Sequence, residues 1–294
     1  MSRLRRAEAI LVGVAALLLV AAAPAKEATV LKLVGQVDVA QSHDSPWRAA
    51  QVGDVLPAGS LVRTGAASRV ELELGGALAR FYELSLARIP TGASGERVEL
   101  ESGAASFDIK PRSDSPFEVH TPSTVALAKG TRFTVTADGD GSTVSVRRGL
   151  VGVRESNSVA REVLVHPGFG VTGGAGRPFA LGLLDQDGDP WEAWSRGAAP
   201  LRPLEPPRDT AAPANADEML VTLQAGGDFS LQIVAARERV RILGPDGFEA
   251  ALTRRDLTQV LRGNTAALGP RLLGMLRLRR VTPAAFAHQV LDNL

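Results

Sequence analysis

The chain has 294 residues and no cysteine. That excludes disulfides, thiolate-bound metal and a cysteine nucleophile, so stability must come from burial alone. Aromatic residues are scarce at 4%, and the four histidines, His43, His120, His166 and His288, show no metal-ligand spacing. Neither charge sign dominates: 33 basic residues face 32 acidic ones. Such a balance leaves no electrostatic footprint for nucleic acid. Long apolar runs are also missing after the N-terminus, so the body of the chain is expected to be soluble.

The one long apolar run, Ala9 to Ala23, follows Arg3, Arg5 and Arg6 and ends in Ala23-Pro24-Ala25 before Lys26. Basic n-region, apolar core and small-x-small site in that order predict a signal peptide over residues 1–25. The alternative is an uncleaved inner-membrane anchor, since the run is near the lower length for a span. Both place the remainder outside the cytoplasm. Cleavage would leave 30 basic and 31 acidic residues, a net charge of −1.

From Leu31 onward the pattern is that of strands. Leu31, Leu33, Val37 and Val39 fall on odd positions around Gly35, and Val70, Leu72 and Leu74 alternate with Arg69, Glu71 and Glu73. A period of two gives each strand one dry and one wet face. Val98 and Leu100, then Ala105, Phe107 and Ile109 across Gly103, continue it; Phe117 and Val119, Phe133 and Val135, Val144 and Val146, and Val151 and Val153 follow. Asp138-Gly139-Asp140-Gly141 has the composition of a tight hairpin turn. The expected class is mainly β, a sandwich, roll or solenoid-like domain of short strands over 26–180, with a small α+β region at the C-terminus.

Residues 181–216 read as a Trp-containing turn followed by a Pro/Ala-rich linker. Over 217–294, Leu220–Leu223, Phe229–Val234 and Val240–Leu243 look like strands and Gly244 to Gly247 like a turn. Thr253 with Asp256 forms a capping-box pattern, Leu257, Val260 and Leu261 share a helical face, and Gly263 can end that helix. Thr282-Pro283 opens a last helix with Phe286, Val290 and Leu294 on one side.

Several landmarks recur in a fixed order between about Val30 and Val153. They are Gly35-Gln36-Val37, Trp47 before Gly53, Gly59, Leu61-Val62-Arg63-Thr64-Gly65, Val98-Glu99-Leu100 and Gly103. Phe117-Glu118-Val119-His120-Thr121-Pro122, Gly130-Thr131-Arg132-Phe133-Thr134-Val135 and Val144-Ser145-Val146 with Gly149 complete the series. This stretch resembles the FecR domain of bacterial envelope proteins. The resemblance implies a periplasmic β-domain that binds another protein in signalling or assembly, or a cell-wall component. The best-known members are inner-membrane regulators with a cytoplasmic anti-sigma segment, one transmembrane helix and a periplasmic half that senses an outer-membrane receptor. Here about eight residues precede the apolar run, so an anti-sigma segment is not expected. Each landmark also has a structural role: Pro122 should end a strand, and Gly130 should supply a backbone angle closed to other residues.

No catalytic, cofactor-binding or metal-binding residue is predicted, and no enzyme. Gly173-Gly174-Ala175-Gly176 lacks the Lys and Ser/Thr of a phosphate loop. Asp185-Gln186-Asp187-Gly188-Asp189 begins like a calcium loop, but Pro190 and Arg196 stand where Gly and Glu belong, so a plain acidic turn is expected. Trp191 and Trp194 are expected to pin this segment to the open end of the β-domain; with Trp47 they could instead stack a sugar ring. Arg262, Arg271, Arg277, Arg279 and Arg280 lie in a span without acids, beside Leu272, Leu273 and Leu276. They form either a solvated helix face or a basic amphipathic one for anionic lipid or an acidic partner. The expected partner is thus an envelope protein, with a cell-wall glycan as the alternative and no nucleic acid. Membrane contact is expected only through an uncleaved N-terminus or the basic C-terminal helix.

Overall fold

The computed structural model describes residues 27–89, 97–111, 116–139, 141–156, 162–174, 177–184, 190–196, 219–224, 230–236, 239–243, 247–278 and 280–294. The signal segment, the acidic stretch 185–189, the Pro/Ala-rich segment, Phe229 and the turn at 244–246 lie outside them. Strand predominates, with a small helical region at the C-terminal end.

Among the described residues seventeen strands precede the first helix. They are β1 (Ala28–Val34), β2 (Val37–Ala40), β3 (Arg48–Ala49), β4 (Val55–Leu56), β5 (Leu61–Thr64), β6 (Arg69–Glu73), β7 (Ala77–Phe81) and β8 (Leu86–Arg88). The long β9 (Arg97–Ile109) is followed by β10 (Phe117–His120), β11 (Thr124–Ala128), β12 (Arg132–Asp138) and β13 (Gly141–Arg148). Then come β14 (Val151–Glu155), β15 (Val163–Val165), β16 (Phe169–Gly174) and β17 (Arg177–Leu183).

These strands pair into two sheets. The first runs β4-β1-β6-β7-β9-β12-β13-β16-β17. The second runs β3-β2-β5-β8-β9-β10-β11-β14-β15. β9 belongs to both: its N-terminal half pairs with β8 and β10, its C-terminal half with β7 and β12. The bend between the halves is Gly103, at φ 89°, where a Cβ would lie 2.5 Å from the Ser85 Cα. Only glycine satisfies both the angle and the close approach. The chain also crosses between sheets at Gly35, Gly130, Gly149 and Gly168, and Gly130 has the positive φ expected of it, 66°. β10 ends before Pro122 and β12 pairs with β13 down to Asp138–Gly141, as the sequence predicts.

Between the sheets lies one apolar core. Phe107 of β9 is its aromatic hub, 5.3 Å from Phe133 in a stacked pair, 6.3 Å from Phe81 edge-on and 5.6 Å from Phe117 of the opposite sheet. The odd-position reading fails at one place. A bulge between Val30 and Lys32 shifts the β1 register against β6, so Ala28, Val30 and Leu33 face inward and Leu31 points out at 42% exposure. An inserted residue flips the side-chain parity that alternation assumes.

Past α1 (Pro190–Arg196), β18 (Met219–Gln224), β19 (Ser230–Ala236), β20 (Arg239–Leu243) and β21 (Glu249–Thr253) continue the first sheet, β18 joining β17 in parallel. Helices α2 (Arg254–Leu261), α3 (Gly269–Leu278) and α4 (Pro283–Leu291) follow, with a 3-10 turn at Ala266–Leu268. The capping box is present: Thr253 accepts from the Asp256 N–H and Asp256 accepts from the Thr253 N–H. Thr282 caps α4 as predicted, and Leu257, Val260, Phe286 and Val290 are buried. Among the described residues no helix is long and apolar enough to cross a membrane.

Candidate functional site

Three surfaces of the β-sandwich differ in what they offer a partner. The outer face of the first sheet is covered by α1 where β1, β6, β7 and β12 lie beneath it. Trp194 of α1 is 1% exposed and donates its indole N–H to the Phe81 carbonyl at 3.0 Å. Trp191 is also buried, and the Arg80 guanidinium stacks over it at 3.8 Å while donating to its carbonyl at 2.6 Å. Arg80 is held in turn by an ion pair with Glu71. Lys32 and Arg69 also face the Trp194 ring, and Arg132 faces Trp191. Below, Ser106 links the Tyr82 and Thr134 hydroxyls at 2.9 and 2.7 Å. Desolvated cation–π stacking and a satisfied indole N–H make this a fastening. The packing role expected of the two tryptophans is observed, but on the flat of a sheet and not at the open end. Covered indoles present no sugar-stacking platform together with Trp47.

The outer face of the second sheet is a ladder of cross-strand charge pairs: Arg63 with Asp38 at 3.0 Å, Arg88 with Glu99 at 3.3 Å, and Arg97 with Glu118 at 3.5 Å. His120 bonds Glu118 at 2.6 Å and is half-buried, the strand role expected of it; His43 meets Glu101 at 3.1 Å. Pairs this exposed contribute about 0.2–1 kcal/mol each and keep the face wet.

The third surface is the end of the sandwich. Residues 48–56 run from β3, paired with β2 of one sheet, to β4, paired with β1 of the other, and so close the end between them. Arg48 and Gln51 both donate to the Asp54 carboxylate, at 2.6 and 3.0 Å, pinning the turn. The Arg48 hydrogen bond is the main reason that Asp54 titrates below the ordinary carboxylate range. On this pinned turn Val52 and Val55 stand 64% and 53% exposed. On the neighbouring β5 the Arg63 guanidinium lies over Trp47 at 4.3 Å. Two-residue edge strands and exposed aliphatics form a sheet end that no other element covers among the described residues, whereas the far edge of the second sheet is closed by α4: Gln289 and Asn293 hydrogen-bond the β15 backbone. Sequence reasoning singled out Trp47 but missed Val52, Val55, Gln289 and Asn293. The amides had a signal in their i, i+4 spacing beside Phe286 and Val290 on the apolar side of a helix.

Over residues 55–152 the chain matches a family model described as FecR protein. This stretch is similar to the FecR domain. It holds the Phe107 hub, the Gly103 bend and two of the three charge pairs, Arg88–Glu99 and Arg97–Glu118, and it begins at Val55. Two solved structures of a protein from Parabacteroides distasonis assigned as an anti-sigma factor, at 1.65 and 2.50 Å resolution, are 21% identical with a TM-score of 0.40. They cover 47% of this chain, which spans 65% and 64% of theirs. No curated protein matches.

Proposed function

We propose that this chain is a non-catalytic regulatory protein of the bacterial envelope that binds a protein partner through the uncovered end of its FecR domain. The single observation that carries the reading is the match of residues 55–152 to a family of signalling-type regulators. The turn with Val52 and Val55 adds a place. A partner segment can add backbone hydrogen bonds to a short sheet edge and bury the two valines, the general mode of strand addition. Under this reading residues 1–25 are an export signal, 26–180 the β-domain, 181–216 the tether and 217–294 a covering region.

Photo-crosslinking in intact envelopes tests it. A crosslinker at Val52 or Val55 should trap one defined protein, and the same probe at Leu84, exposed elsewhere on the sandwich, should not. Replacing both valines by Asp should abolish the product while leaving the circular dichroism spectrum unchanged. An intact precursor found free in the cytosol, or crosslinks of equal yield from all three positions, would overturn the reading.

A further inference from the structure

Helix α3 divides cleanly by burial. Leu272 and Leu276 are buried in the common core and Leu273 and Met275 partly so, while Pro270, Arg271, Gly274, Arg277 and Leu278 form one exposed stripe. Leu278 stands 84% exposed, more than any other large apolar residue among those described. Arg280, just past the helix end at φ 54°, is also exposed. Between Asp256 and Asp292 the sequence holds no acid, and five arginines. A chain close to neutral overall therefore carries a basic segment here, and on α3 Arg271 and Arg277 are exposed on the same side as Leu278 at the helix end.

We propose that this stripe docks on an anionic lipid bilayer. Arginines alone would suit any polyanion, but a protruding leucine flanked by arginines is the combination that the headgroup–acyl boundary rewards. The aliphatic group enters the acyl region while the guanidinium groups stay with the phosphates. A bare polyanion without apolar surface gives no reason for Leu278 to stand out of the surface. The inference uses a different face from the partner-binding end and can fail without it.

The absence of cysteine makes the test site-specific. A Cβ at Gly274 would meet nothing within 4 Å, so Gly274→Cys carries an environment-sensitive fluorophore on the stripe without a clash. The labelled full-length chain is mixed with vesicles of phosphatidylcholine, or of phosphatidylcholine with phosphatidylglycerol. The emission should shift to the blue, and brominated acyl chains should quench it, only with phosphatidylglycerol present. Leu278→Asp and the pair Arg277→Glu with Arg280→Glu should each weaken the response about tenfold or more. A probe at Leu84→Cys should stay in water throughout, which separates docking of α3 from insertion of the N-terminal segment. The proposal falls if the Gly274 probe stays in water with anionic vesicles, or if the Leu84 probe responds equally. It also falls if soluble polyglutamate gives the same shift and Leu278→Asp leaves it unchanged, the result expected of an acidic protein partner.

Discussion

Asn293 does for Leu164 what a neighbouring strand would do. Its amide oxygen accepts from the Leu164 N–H at 2.9 Å and its amide nitrogen donates to the Leu164 carbonyl at 2.8 Å. One turn earlier Gln289 repeats the device, donating to the same carbonyl at 2.7 Å and accepting from the His166 N–H at 2.9 Å. Both amides are 2% exposed. An unpaired strand edge invites further strands, and a helix laid across it with amides in register removes that option. His166 adds a bond to Asp292 at 2.7 Å and a ring stack on His288 at the rim of the same contact.

Asn293→Ala should therefore cost about 1–3 kcal/mol, because it leaves the Leu164 N–H without its acceptor while the carbonyl keeps only the Gln289 bond. Urea unfolding measures the loss. Amide exchange should localise it, with Leu164 losing protection while residues of β9 keep theirs.

Phe107→Ala should be the more damaging change, at about 3–5 kcal/mol. The ring is fully buried and touches three other phenylalanines across both sheets. Phe107→Leu, which keeps most of the volume, should recover a large part, and thermal unfolding followed by circular dichroism separates the two variants.

Two glycines with matching backbone angles separate strain from crowding. Gly53 has φ 90° and open space for 4 Å around the position a Cβ would take, whereas Gly103 at φ 89° would place its Cβ against Ser85. Gly53→Ala should cost about 1–2 kcal/mol, the left-handed penalty alone. Gly103→Ala should add about 1–3 kcal/mol of overpacking to that. Equal midpoints in denaturant would show the bend to be less crowded than it stands.

The α2 cap should carry a pH signature. The Thr253 hydroxyl, then its backbone N–H, holds the Asp256 carboxyl below the ordinary carboxylate range. A lowered folded value means that the ionised cap stabilises the helix in full above the ordinary range. The contribution is lost as pH falls through the lowered value. Asp256→Asn should flatten that acid-side slope, and Thr253→Ala should cost about 1 kcal/mol at neutral pH. Unfolding curves collected from pH 7 downward check both.

Much of this fold was legible in the chain because its cues are local. Alternation at Val70, Leu72 and Leu74 marks a half-buried strand wherever it sits, Thr253 and Asp256 cap a helix from three residues apart, and Pro122 ends a strand by lacking an N–H. The ordered landmarks from Gly35 to Gly149 likewise lie along one dimension, and they pointed to the FecR domain. The bulge at Leu31 was not legible, since one inserted residue changes parity without changing composition. Nor was the place where Trp191 and Trp194 pack, which depends on Arg80 lying more than a hundred residues away.

By itself the sequence determined the β class, the helix caps, the strand ends and the absence of thiol chemistry, all set by neighbours in the chain or by composition. Only the tertiary structure decided which surfaces remain open. Exposure is a property of what packs opposite: α1 closes one face, α4 closes one edge, and Val52, Val55 and Leu278 are left facing solvent because nothing in the described fold reaches them.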